Sequence, residues 1–102
     1  MDNILIISKD SGQTRKFMRE LPEFLKNTDA NFTVEFAFYP EYEELVRKKE
    51  WKVIGLSPEL IIEAKSICTR LMEINIVTPV KNIRGVHFGI RRYDLIFSAL
   101  LV

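Results

Sequence analysis

The sequence predicts an α/β fold: a three-layer α/β/α arrangement with a four-stranded parallel sheet in the order 2-1-3-4. Three observations carry this. Short apolar runs alternate along the chain with segments of helical periodicity. Two of the runs, at 4–7 and 53–56, are apolar throughout, as in strands covered on both faces. A third, at 32–39, alternates apolar with polar residues, as in a strand with one wet face at a sheet edge. A length of 102 residues suits one domain, so residues 1–102 are expected to form a single unit.

The elements follow in order. Ile4, Leu5, Ile6 and Ile7 form the first strand, and a polar stretch from Ser8 to Gln13 follows it. From about 13 to 27, Phe17, Leu21, Phe24 and Leu25 recur at helical spacing, with Arg15, Lys16, Arg19, Glu20 and Glu23 turned outward. Pro22 lies inside this helix and should kink or split it, because it has no N–H and its ring crowds the preceding turn. The second strand carries Phe32, Val34, Phe36 and Phe38 on one side, and Pro40 ends it. A short polar helix is expected over 41–50, with Trp51 anchoring the start of the third strand at 53–56. Ser57, Pro58 and Glu59 then read as N-cap, first helical residue and favourable first-turn acid of a helix reaching about Glu73. In that helix Leu60, Ala64, Ile67, Cys68 and Leu71 face inward. Residues 74–77 read as the fourth strand, 79–89 as loop, and 91–102 as a last helix with Tyr93, Ile96, Phe97 and Leu100 on one face.

Composition excludes several function classes. Lys and Arg total 15 against 14 Asp and Glu, so the net charge of +1 gives no support to nucleic-acid binding. One Cys cannot form an internal disulfide, and one Cys with one His cannot build a structural zinc site. No metal or cofactor is expected. No apolar run approaches the roughly 20 residues needed to span a bilayer. Met1-Asp2-Asn3 lacks a basic leader, so a cytoplasmic location is expected. There is no dinucleotide or P-loop glycine pattern and no C-x-x-C. A phospho-accepting receiver domain needs an Asp after the third strand, where this chain has Ser57.

In an open parallel sheet, ligands bind beyond the carboxyl ends of the strands, where the strand order reverses. With the order 2-1-3-4 that point lies between the first and third strands. The candidate site is therefore the loop Ser8, Lys9, Asp10, Ser11, Gly12, Gln13 and Thr14, flanked by Ser57 and by the loop from Thr78 to Gly89. The first loop opens onto a helix N-terminus, whose free N–H groups favour an anion such as phosphate. Equally, many α/β domains use such a loop only to turn the chain. His87 lies near the same edge and is a candidate rim residue. Arg84, Arg91 and Arg92 read as a solvated edge, with an acidic partner as the other reading. Cys68 reads as a small core residue.

The chain resembles the enzyme IIB component of the bacterial sugar phosphotransferase system, of the lactose/cellobiose type. The resemblance spans nearly the whole length and rests on four features. They are the apolar strand at 4–7 running into a short loop, Leu56-Ser57-Pro58, Thr78-Pro79-Val80, and His87-Phe88-Gly89 before a helix ending Ser98-Ala99-Leu100. The resemblance implies a phosphoryl carrier. A Cys at the end of the first strand accepts phosphate from a phosphohistidine on a IIA partner and passes it to a sugar held by the membrane component IIC. The following loop, here Lys9 to Thr14, cradles the phosphate.

At the position of that Cys this chain has Ser8. A hydroxyl offers no thiolate, and a phosphoserine ester is a poor donor. Asp10 would oppose a phosphate in the cradle, partly offset by Lys9, Thr14 and Arg15. Two accounts fit: a IIB-like domain that has lost phosphotransfer, or a nucleophile replaced by design. Asp10 favours the first. Two functions stay open: a IIB component of sugar uptake, impaired at Ser8, or a non-catalytic IIB-like module of regulation, as in transcriptional regulators. The alternating strand at 32–39 could also pair with a second copy.

Overall fold

The computed structural model describes residues 1–102. β1 (Asp2–Ser8), β2 (Phe32–Phe38), β3 (Val53–Leu56) and β4 (Val80–Asn82) form one parallel sheet in the order β2-β1-β3-β4. Helices α1 (Gly12–Asn27), α2 (Glu43–Lys48), α3 (Ala64–Glu73), α4 (Gly85–Gly89) and α5 (Tyr93–Leu100) complete the chain. The α/β class and the strand order are as the sequence predicts.

The run at 4–7 explains the layering. Ile4, Leu5, Ile6 and Ile7 are all fully buried, and successive side chains point to opposite faces. Leu5 and Ile7 join Tyr42, Val46, Trp51, Ile54, Leu56, Leu60, Ile67 and Leu71 in one core. Ile4 and Ile6 join Phe17, Leu21, Val53, Ile83, Phe88, Ile96, Phe97 and Leu100 in the other. Burying one such aliphatic side chain contributes about 1.5–3 kcal/mol, so both faces of β1 hold the sheet between its helices. Gly55 lets α5 approach closely: a Cβ there would stand 3.2 Å from Ile83 Cδ1 and from Leu100 Cδ2. Trp51 is buried ahead of β3, and its indole N–H donates to the Val46 carbonyl at 3.1 Å.

β2 is an edge strand, paired only with β1. Phe32, Val34 and Phe36 pack against the second core, while Thr33 is exposed and Glu35 pairs with Lys49 on the other side. α1 is amphipathic, burying Thr14, Phe17 and Leu21. It is not split at Pro22, which sits exposed, where water can meet the Met18 carbonyl that loses its partner.

Four expectations need correction. Residues 57–73 do not form one helix. A single 3-10 turn, Pro58–Leu60, follows Ser57, and α3 starts only at Ala64. Ser57 has the backbone of an N-cap, but its hydroxyl makes no cap bond, so the first turn tightens and stops.

Residues 74–77 are not a strand. Asn75 has φ +64°, its N–H donates to Met72 O at 3.0 Å, and the Ile76 N–H reaches back to Leu71 O at 2.9 Å. This is a Schellman cap on α3, with Asn in the left-handed position and Ile76 packed on the core. Its apolar–polar–apolar order imitates a strand.

The fourth strand instead lies within residues 79–89, expected to be loop. Ile54, Gly55 and Leu56 pair with Val80, Lys81 and Asn82. The same stretch holds α4. The final helix is shorter than 91–102, because Arg91 at φ +53° separates α4 from α5.

Candidate functional site

The parallel register brings the carboxyl ends of β1 and β3 together. The Ser57 N–H donates to Ile7 O at 3.0 Å, and the Tyr39 N–H to Ser8 O at 2.8 Å. Ser8 and Ser57 therefore project side by side beyond the sheet, with Ser11 and Thr14 of the β1–α1 turn next to them. Ser8, Thr14 and Ser57 are the buried polar residues of this chain.

Burial of a hydroxyl is tolerable only with partners. Ser8 Oγ donates to Ser57 Oγ at 2.7 Å and lies 2.8 Å from Thr14 Oγ1. Ser11 is the N-cap of α1, its Oγ accepting from the Thr14 N–H at 3.1 Å.

The acceptor on which these hydroxyls converge is the Glu59 carboxylate, from the 3-10 turn after β3. Ser11 Oγ donates to it at 2.7 and 2.9 Å. Thr14 Oγ1 donates to its Oε1 at 2.8 Å, and Ser8 Oγ lies 3.2 Å from the same oxygen. A carboxylate only accepts, so it orients the hydroxyl protons around it. α1 has no acidic residue in its own first turn, and Glu59 fills that place from another element. Unlike the acid of a capping box, it takes the N-cap hydroxyl and not the N-cap N–H, which donates to Lys9 O at 2.9 Å.

The charged residues of the loop are engaged elsewhere. Arg15 forks onto Asp10 with bonds of 2.6 and 2.8 Å, and lies over the Phe38 ring at 4.9 Å. That bond holds the Asp10 carboxyl below the usual carboxylate range and raises the Arg15 guanidinium. Lys9 pairs with Glu63 at 3.4 Å. Gly12 and Gln13 are exposed at the start of α1. His87 is half-buried on α4 and forms no hydrogen bond with the hydroxyl cluster, whereas Ser57 is part of it. Beside Ser57 an open cleft of about 400 Å³ is lined by Pro58, Ile61, Asn82, Ile83, Arg84 and Gly85.

The remaining sequence candidates fall outside this cluster. Cys68 is half-buried on α3 against the first core. Arg91 pairs with Glu20 at 2.9 Å and Arg92 with Asp94 at 3.0 Å, while Arg84 stays exposed. Glu59 is the residue that sequence reasoning missed. It reads as a first-turn acid for its own helix, but the structure gives it to α1. The available signal was an N-cap, Ser11, whose helix has no acid in its first turn.

No family model and no curated protein matches this chain. Among solved structures, it is similar to the lactose-specific IIB component domain of the phosphoenolpyruvate:carbohydrate phosphotransferase system from Streptococcus pneumoniae. The TM-score is 0.68 at 13% sequence identity, over 98% of this chain and 90% of that one. The likeness shows a shared fold: a IIB-like parallel sheet with helices on both faces. No helix of this chain is long and apolar enough to cross a membrane.

Proposed function

We propose that residues 1–102 act as one IIB-like domain of a sugar phosphotransferase system that docks the partners of such domains without carrying phosphate at position 8. The expected partners are a cytoplasmic IIA-type phosphohistidine protein and a membrane IIC component. The observation that carries this reading is the state of Ser8. It ends β1 with no exposed surface, its hydroxyl enclosed by Thr14, Ser57 and Glu59.

Three physical reasons support it. An alcohol needs a base to become a nucleophile, and the nearest carboxylate, Glu59, already accepts the Ser11 proton, shared between its oxygens at 2.7 and 2.9 Å, and the Thr14 proton at 2.8 Å. In-line attack needs an open approach, and Ser8 has none. Lys9 and Arg15, the cations nearest in sequence, are matched by Glu63 and Asp10. What remains of a carrier is its frame, and a frame without a nucleophile suits a module that senses or competes for a partner.

The test incubates the protein with a phosphorylated IIA donor and follows phosphate by mass spectrometry, alongside measured IIA binding. The wild type is expected to bind IIA and to gain no phosphate, and Ser8→Cys, enclosed by the same neighbours, is expected to gain none either. Phosphate on Ser8 of the wild type would sink the reading. So would the absence of binding to any IIA-type protein.

A further inference from the structure

β2 leaves one side of its backbone unpaired. The Tyr39 N–H donates to Ser8 O, and alternate residues of a strand turn their N–H and C=O groups to the same side. Thr33, Glu35 and Ala37 therefore bond to β1, while Phe32, Val34, Phe36 and Phe38 direct theirs outward, away from the sheet. Nothing in the strand blunts this edge. Its register with β1 runs unbroken from Asp2 opposite Phe32 to Ser8 opposite Phe38, so there is no bulge. It contains no Pro and no Lys, and its one charge, Glu35, is matched by Lys49. The opposite edge, β4, is three residues long with Lys81 at its centre, both features that discourage pairing.

We propose that β2 is an interface between two copies of this chain, paired antiparallel about a two-fold axis at Val34 so that their four-stranded sheets join into one. Charge complementarity selects the register. On a two-fold axis a residue meets its own copy, and only registers centred on one residue keep the faces matched. Centred on Glu35, two carboxylates would stand directly opposite each other, a destabilising arrangement. Centred on Phe36, Glu35 would face the buried Ala37. Centred on Val34, Glu35 faces the exposed Thr33 of the other copy, and Lys49 keeps each side neutral. Phe32 then meets Phe36, and Val34 meets Val34, in pairs that exchange both backbone hydrogen bonds. A cleft of about 510 Å³ beside the strand is lined by Met18, Leu21, Pro22, Leu25, Val34 and Phe36. The same axis brings this cleft against its own copy on one face of the joined sheet. Apolar Met18, Pro22 and Leu25 of the two α1 helices cover the seam there.

Sedimentation velocity on the full chain from micromolar to millimolar concentration, with amide hydrogen exchange at both ends of that range, tests the proposal. The wild type should pass from monomer to dimer. Protection should rise with concentration at the outward amides of Phe32, Val34 and Phe36. It should stay constant at Thr33, Glu35 and Ala37, which already bond to β1. Thr33 is exposed, so its replacement spares the core. Thr33→Lys, set against Glu35 twice per dimer, should tighten the dimer about threefold or more, and Thr33→Glu should weaken it by a similar factor. Val34→Pro removes an outward N–H, leaves the β1 ladder its bonds, and should abolish pairing. The Thr33 variants serve if the proline variant does not fold.

A wild type that stays monomeric at millimolar concentration leaves the edge to a different chain and overturns the proposal. So does a dimer of equal affinity in the two Thr33 variants, or one whose added protection lies outside β2. No IIA protein enters this experiment, so its result is independent of the docking function.

Discussion

Thr14 on α1 donates its hydroxyl proton to Glu59 Oε1 across 2.8 Å, although 45 positions separate them in the chain. The bond ties the helix after β1 to the turn after β3. The same threonine oxygen lies 2.8 Å from Ser8 Oγ, so it joins the end of the central strand to the carboxylate.

Thr14→Val tests this tie. Valine keeps the shape and removes the hydroxyl, leaving Glu59 and Ser8 each short of one partner. Buried groups deprived of partners cost about 1–3 kcal/mol, so the urea midpoint should fall accordingly. Thr14→Ser should recover most of the loss. A loss in Thr14→Ser with little or none in Thr14→Val would mean that the methyl contact, not the hydroxyl, matters.

Asn75 offers a prediction whose sign separates two structures. At φ +64° it caps α3 in a conformation that β-branched residues avoid. Asn75→Val should destabilise by about 1–2 kcal/mol, and Asn75→Gly should be neutral or slightly stabilising. If residues 74–77 were a strand, valine would be the favoured residue and the order would reverse. Chemical denaturation of the two variants decides.

Phe17 is fully buried at the centre of an aromatic cluster. It stacks on Phe88 at 4.8 Å and meets Tyr93 and Phe36 edge-on at 4.8 and 5.7 Å. Phe17→Ala should cost about 3–5 kcal/mol. Phe17→Leu should cost less, since it leaves a smaller void. A loss below about 1 kcal/mol by calorimetry would mean that α1 does not pack on α4 and α5 as described.

Acid should weaken the fold through three surface carboxyls. Hydrogen bonds from Arg15, Arg70 and Arg92 hold Asp10, Glu43 and Asp94 below their ordinary values. A folded value below the unfolded one means stabilisation that is present above the unfolded value. It is lost as pH falls through the folded value. Stability should therefore decline as pH drops through and below the normal carboxylate range, and salt should blunt the effect, because all three pairs are exposed. Urea midpoints measured against pH at two salt concentrations check this. A profile flat across the acid range would contradict it.

What the sequence disclosed divides along physical lines. β1 and β3 were legible because continuous apolar runs have few other uses in a chain this size. β2 was legible because its alternation reports one wet face. β4 escaped because three residues, Val80, Lys81 and Asn82, carry too little pattern, while the cap at Ile74, Asn75 and Ile76 carries a false one. The meeting of Ser8 and Ser57 at the ends of β1 and β3, where the candidate site is expected, followed from strand order alone. Its chemistry did not. Glu59 acts on a helix that begins 47 positions earlier, by subtraction of the Gly12 start of α1 from 59. Local reading assigns an acid to its nearest helix, and only packing reveals which helix it serves.

Ile6 and Ile7 are neighbours in sequence, yet they belong to different cores on opposite faces of the sheet. Each face can thus be repacked without disturbing the other, and substitutions such as Phe17→Leu and Ile67→Val should act independently. Two interiors sharing only four strands leave each face its own choice of side chains, and the same fold is seen at 13% sequence identity.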